Sequence, residues 1–234
     1  MRYAVYFTPP SSHEVVRRAE SWLGRSVFGR VVAPAPIGGL SADARAPLVR
    51  APARYGFHAT LKAPFKLAEQ AREADLIAGV DAFAAGHAPV PALRLEVSRL
   101  GGFFALTPAA PSPELQALAD AVVHRFEPFR APLTEADIAR RNPDALSPRQ
   151  RAYLTDWGYP FVFEEFRFHM TLSERLSDPE ASTVGSALRA HFKEALAAPL
   201  PIDRIAVYRE TARGAPFTCI HEAALVRDAA THPA

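Results

Sequence analysis

Phe57-His58-Ala59-Thr60-Leu61 returns 111 residues later as Phe168-His169-Met170-Thr171-Leu172. Side chains alternate along an extended chain, so each copy sets its histidine and threonine on one face and three apolar residues on the other. Two such faces brought together place two imidazoles and two hydroxyls around one small space. An imidazole with an ordinary pKa can take or give a proton at neutral pH. Hydroxyls can donate to oxyanions. The pattern therefore suits acid–base work on a phosphate ester. The bland alternative is two half-buried strands, each with a satisfied core histidine. With 8 histidines in 234 residues, composition alone does not supply two triplets that share Phe before and Leu after.

The echo extends beyond the pentapeptides. Pro89-Val90-Pro91 precedes the alternating run Leu93-Arg94-Leu95-Glu96-Val97, and Pro199-Leu200-Pro201 precedes Arg204-Ile205-Ala206-Val207. Pro91 and Pro201 follow their histidines by 33 and 32 residues. The repeat unit reads as the His-x-Thr strand, a helix, a strand and a strand, the first copy over about 50–110 and the second over about 160–226. This predicts a single bilobal domain over 1–234, with a pseudo-twofold that brings the equivalent strands face to face across a central cleft.

Around these repeats, residues 2–7 read as a strand and 13–24 as a helix after Ser12. Helices are expected over 69–86, 112–126, 147–157 and 179–197, and strands over 103–106, 204–209 and 217–226. The segments 29–52 and 130–160 read as insertions, the first a proline- and glycine-rich loop with little regular structure. The tail after Arg227 reads as frayed.

Hydrophobic residues make up 49% of the chain and charged residues 22%, ample for a core. A net charge of +2 with no basic run argues against a binder of long nucleic acid. One cysteine, Cys219, excludes an internal disulfide and a thiolate cluster, and reads as buried in a strand. No apolar stretch reaches the ~20 residues that span a bilayer, and the apolar start stops at Pro9-Pro10, so a soluble, cytoplasmic protein is expected. His13, His87, His124, His191, His221 and His232 lack partners at metal-ligand spacing, and Gly38-Gly39 and Gly101-Gly102 read as turns, not a phosphate loop. No metal site or cofactor is expected.

In this setting the two His-x-Thr segments resemble the two-histidine phosphoesterase superfamily. Tyr55 to Lys62, Glu165 to Leu172, Leu146-Ser147-Pro148-Arg149-Gln150-Arg151 and Trp157-Gly158-Tyr159-Pro160 are similar to a bacterial subgroup encoded beside carbon–phosphorus lyase genes. The resemblance spans about residues 2–226. It implies an α+β fold of two pseudo-symmetric lobes, each an antiparallel sheet with helices on its outer face, around a central cleft. It also implies metal-independent attack on a phosphodiester. One of His58 and His169 would be general base and the other general acid, while Thr60 and Thr171 hold phosphoryl oxygens.

Further candidates follow from the strands. Lys62, two beyond Thr60, and Arg167, two before His169, should face the cleft if the strands are regular. By analogy between the repeats, Tyr208 and Arg209 should lie beside the second motif, with one of them reaching the site. Tyr6 on the first strand is a weaker candidate. The expected activity is hydrolysis of a 2′,3′-cyclic nucleotide, a ribosyl cyclic phosphate or a small phosphodiester by a monomer, with a place in phosphonate metabolism. The alternatives are a nucleotide- or phosphate-binding module without catalysis and a binder of RNA ends.

Overall fold

A computed structural model describes residues 1–226; the tail after Arg227 and His232 lie outside the described residues. In chain order the elements are β1 (Arg2–Phe7), α1 (Glu14–Leu23), α2 (Ala42–Arg45), α3 (Arg50–Tyr55), β2 (Ala59–Phe65), α4 (Glu73–Ala85), β3 (Val90–Leu93), β4 (Leu95–Leu100) and β5 (Phe103–Pro108). Then follow α5 (Pro113–Phe126), α6 (Glu135–Ala139), α7 (Pro148–Trp157), β6 (Met170–Thr171), α8 (Asp178–Phe192), β7 (Leu200–Ile202), β8 (Arg204–Glu210) and β9 (Thr218–Ala224).

Seven strands form one antiparallel sheet in the order β4-β5-β6-β2-β1-β8-β9. The two motif strands therefore lie side by side at its centre. They meet through Ala59 opposite Met170, two positions that the 111-residue offset makes equivalent. An antiparallel pair of equivalent residues places the pseudo-twofold between them. Outward from that pair, β6, β5 and β4 mirror β2, β1 and β8. The repeat is thus strand, helix, motif strand, helix, strand. It begins at β1 and β5, earlier than the motif spacing indicates. Each repeat's last strand crosses to pack on the other repeat's first strand. A second small sheet, β3 with β7, pairs the two Pro-x-Pro-type segments, Val90 opposite Ile202 and Leu93 opposite Leu200.

One sheet face is dry. Val5, Phe7, Leu61, Leu106, Met170, Leu172, Ile205 and Val207 pack there against Val16, Leu76, Val122, Phe126 and Leu188 of α1, α4, α5 and α8. The alternation of each strand, with β-branched and aromatic residues inward, makes that face. Ala4, Tyr6, Ala206 and Tyr208 face the other way with Phe217.

The segment 29–52 is more ordered than its prolines and glycines indicate: α2 and a 3-10 turn (Ala46–Val49) lead into α3. Pro47 and Pro52 sit within the first turns of short helices, where a missing N–H costs nothing. Arg45, only 2% exposed, ties this segment to α1 through bonds to the carbonyls of Trp22 and Ser21. Both insertions occupy the same place in their repeats, between the first helix and the motif strand. Among the described residues no helix is long and apolar enough to cross a membrane.

Candidate active site

Each histidine sits one residue before its strand, where the backbone leaves the ladder. Nδ1 of His58 lies 2.8 Å from the carbonyl of Gly56, and Nδ1 of His169 lies 2.7 Å from the carbonyl of Arg167. A carbonyl only accepts, so both neutral rings carry their proton on Nδ1 and keep a lone pair on Nε2. The Thr60 hydroxyl lies 3.3 Å from Nε2 of His58 and can donate to it. Thr171 pairs with Ala105 of β5 and lines the same cleft.

Gly56 makes the first turn possible. Its φ is +79°, and a Cβ there would stand 1.9 Å from Cγ1 of Val27. Gly56→Ala should therefore cost about 2 kcal/mol or more of stability, from backbone strain and overpacking together. Chemical denaturation would read this as a lowered midpoint, and an unchanged midpoint would refute it. Behind the turn, the hydroxyls of Thr8 and Tyr208 both donate to the carbonyl of Phe57, at 3.1 and 3.3 Å.

The cleft has two adjoining parts of about 300 and 460 Å³. The first holds His58 and Thr171, the second His169 and Arg167, and Thr60, Phe103, Tyr159 and Arg175 line both. The insertions and the residues just after them supply walls: Ala51, Pro52 and then Tyr55 from the first, Arg141, Gln150, Tyr159 and then Phe161 from the second.

The two halves are not equivalent. Tyr6, opposite Thr60, stacks on His58 with ring centres 3.8 Å apart. The matching position opposite Thr171 is Ala105, so among the described residues His169 meets only the Phe103 ring, at 5.7 Å. Burial lowers the pKa of both rings by penalising the cation. His58 is pushed down to about 4, with the His58–Gly56 bond opposing the shift and the nearby His169 adding to it. The His169 shift is in the same direction, with burial first and the Arg167 carbonyl opposing.

Of the other candidates, Arg167 reaches the cleft beside His169. Lys62 does not. Tyr6 pairs with Thr60 and Val5 with Lys62, so Leu61 is an extra residue that bulges β2. The bulge resets the alternation and sends Lys62 to the helix-covered face. There it is 4% exposed, with Nζ 2.6 Å from Glu127 and 3.2 Å from the Val123 carbonyl. Tyr208 and Arg209 lie on β8, beside β1 and away from the second motif. The strand exchange between repeats is the reason. Tyr208 is fully buried behind His58, and Arg209 pairs with Glu73 at 3.0 Å. Tyr6 reaches the site as a support under His58.

Sequence reading missed Tyr55, Arg141, Tyr159 and Arg175. Arg141 lies over the Tyr159 ring, 5.0 Å from its centre, and among the described residues its guanidinium has no carboxylate partner. Arg175 bonds the Gly101 carbonyl. Tyr55 and Tyr159 lie inside the segments that carry the resemblance and Arg141 inside the second insertion, whereas no pattern in the sequence singled out Arg175.

A family model described as "Protein of unknown function (DUF1045)" matches residues 60–218. Two curated relatives bear the name ribose 1,5-bisphosphate phosphokinase PhnN. The one from Janthinobacterium sp. (strain Marseille) is 40% identical over 92% of this chain and 49% of its own length. The one from Laribacter hongkongensis (strain HLHK9) is 36% identical over 93% of this chain and 50% of its own length. The chain thus spans about half the length of the curated relatives it matches. Among solved structures, Escherichia coli LigT complexed with ATP is similar over 97% of this chain and 98% of that one, at 14% identity and a TM-score of 0.43.

Proposed function

The chain belongs to the DUF1045 family, and we propose that this member is a metal-independent phosphodiesterase acting on a cyclic or small phosphodiester. The observation that carries the reading is the paired histidines, each with Nδ1 on a carbonyl and Nε2 available, in a cleft that also holds both threonines.

In this mechanism Nε2 of His58 removes a proton from water as the water oxygen bonds to phosphorus. The opposite phosphorus–oxygen ester bond breaks, and His169 in its protonated form delivers its Nε2 proton to the departing alkoxide. A cyclic diester and water become a phosphomonoester with a free hydroxyl. Solvent exchange then returns each ring to its starting state. Thr60 and Thr171 donate to the non-bridging oxygens, where negative charge grows, with Arg141, Arg167 and Arg175 as nearby cations. The Tyr6 ring covers one face of His58, and the burial of that imidazole, by penalising its cation, keeps it neutral and supports it as the base. The more open His169 is the ring better able to hold a proton.

The substrate class is a 2′,3′-cyclic nucleotide or a ribosyl cyclic phosphate. The names of the curated relatives and the resemblance to the phosphonate-associated subgroup support the ribosyl form. Kinase chemistry is not assigned to this chain, which has no glycine-rich phosphate loop and covers half of those relatives.

The test is hydrolysis of nucleoside 2′,3′-cyclic phosphates by purified protein in EDTA, followed across pH. Turnover is expected to persist with the chelator. The acid limb of kcat/KM should fall near pH 4, where His58 of the free enzyme protonates, and the alkaline limb below pH 6.5, where His169 loses its proton. Loss of activity in EDTA that returns with a divalent cation would sink the metal-independent mechanism. An optimum above pH 8 would contradict the two-histidine assignment.

A further inference from the structure

A second cavity, of about 280 Å³, opens beside the His58 side of the cleft and shares Tyr55, Pro64 and Arg141 with it. Its lining is cationic. Arg2, Arg54, Lys66, Arg130, Arg140, Arg141 and Arg213 reach it. These side chains come from β1, α3, the ends of β2 and α6, the segment after α5 and the turn between β8 and β9. The convergence is therefore tertiary and is not a charged face of one helix.

Local carboxylates do not balance it. Among the described residues Asp137 is the one acid in the lining, and it holds both Arg140 and Arg213. Glu210, fully buried, takes Arg2 at 2.6 Å and Arg54 at 2.8 Å. Glu127 takes Arg130 at 2.6 Å and is shared with Lys62. Seven cations thus face three carboxylates, and Lys66 and Arg141 have no carboxylate partner among the described residues. Over the whole chain the balance is 27 to 25. Such crowding is unfavourable in the empty protein and becomes favourable when an anion enters. Guanidinium forks held by Asp137 and Glu210 are pre-oriented donors for phosphate oxygens.

We propose that this cavity is a second phosphate subsite, so that the substrate is a cyclic or small phosphodiester carrying an additional terminal phosphate. The proposal rests on the phosphodiesterase reading for what happens at the histidines, but the cavity is testable without it. The diester phosphorus lies between His58 and His169, and the terminal phosphate lies past Tyr55 and Arg141, among Lys66, Arg140 and Arg213. The volume suits one phosphoryl group or a short polyphosphate, not a folded partner.

Two measurements separate the parts. Calorimetric titration with inorganic pyrophosphate should show binding to the His58→Ala/His169→Ala protein. That binding should weaken about ten- to hundredfold when Lys66→Ala/Arg213→Ala is added. The charge-preserving pair Lys66→Arg/Arg213→Lys should retain it, which guards against a variant that has lost its fold. Equal pyrophosphate affinity with and without Lys66→Ala/Arg213→Ala would overturn the subsite. In turnover, a nucleoside 2′,3′-cyclic phosphate bearing a 5′-phosphate should show a kcat/KM about tenfold or more above its unphosphorylated form. Lys66→Ala/Arg213→Ala should bring that ratio toward one, and an undiminished ratio in that variant would also overturn it. If neither cyclic ester is cleaved, the histidine reading fails, while the pyrophosphate titration still decides the cavity.

Discussion

Replacing either histidine by alanine is expected to lower turnover of a 2′,3′-cyclic nucleotide by about a thousandfold or more, since each removes one of the two proton transfers. The two variants should differ with an activated ester. A 4-nitrophenyl phosphodiester has a leaving group that departs without a proton, so His169→Ala should recover much of its rate on that compound. His58→Ala should not, because water still needs a base. Steady-state kinetics on both esters reads the result, with thermal unfolding to show that each variant folds. The opposite rescue pattern would exchange the roles of the rings, and unchanged turnover in both variants would remove the mechanism. The asymmetry behind the assignment lies in one place: Tyr6 stacks on His58, whereas Ala105 stands at the matching position beside the second strand.

Glu127→Ala is expected to destabilise the protein by about 3 kcal/mol, because it strands the Lys62 ammonium on the helix-covered face and frees Arg130. Burial lowers the Lys62 pKa, with Glu127 opposing the shift. Removing the carboxylate therefore favours loss of the proton on Nζ. Lys62→Met should behave differently. It keeps a long apolar stem among Leu61 and α5 and leaves Glu127 paired with Arg130, so stability should stay within about 1 kcal/mol or rise. Turnover should be unaffected, since Lys62 faces away from the cleft. Urea denaturation of both variants checks the energies. A loss of turnover in Lys62→Met with native stability would return Lys62 to the cleft and contradict the bulge at Leu61.

The two His-x-Thr segments, the alternating runs and the capped helices were legible because they depend on neighbours along the chain. Alternation puts His58 with Thr60 and His169 with Thr171, and it does so whatever the tertiary arrangement. Helices begun by Ser112-Pro113 and Ser147-Pro148 formed where their caps indicate. Lys62 was misread because alternation assumes a regular strand. One extra residue in β2 reverses the side chains that directly follow it, Lys62 first, and the bulge is set by pairing with β1, 50 or more residues away.

The sequence by itself determined that two equivalent strands each carry an imidazole and a hydroxyl, and that a duplicated unit surrounds them. Only the tertiary structure decided that the strands lie side by side in one sheet, meeting at Ala59 and Met170. It also decided that the repeats exchange their last strands, which moved Tyr208 and Arg209 away from the second motif. Finally, it gathered arginines from separate segments beside His58. The division has a physical cause. Periodicity and capping are local properties of the chain, whereas strand order, bulges and converging charge come from contacts between residues far apart in sequence.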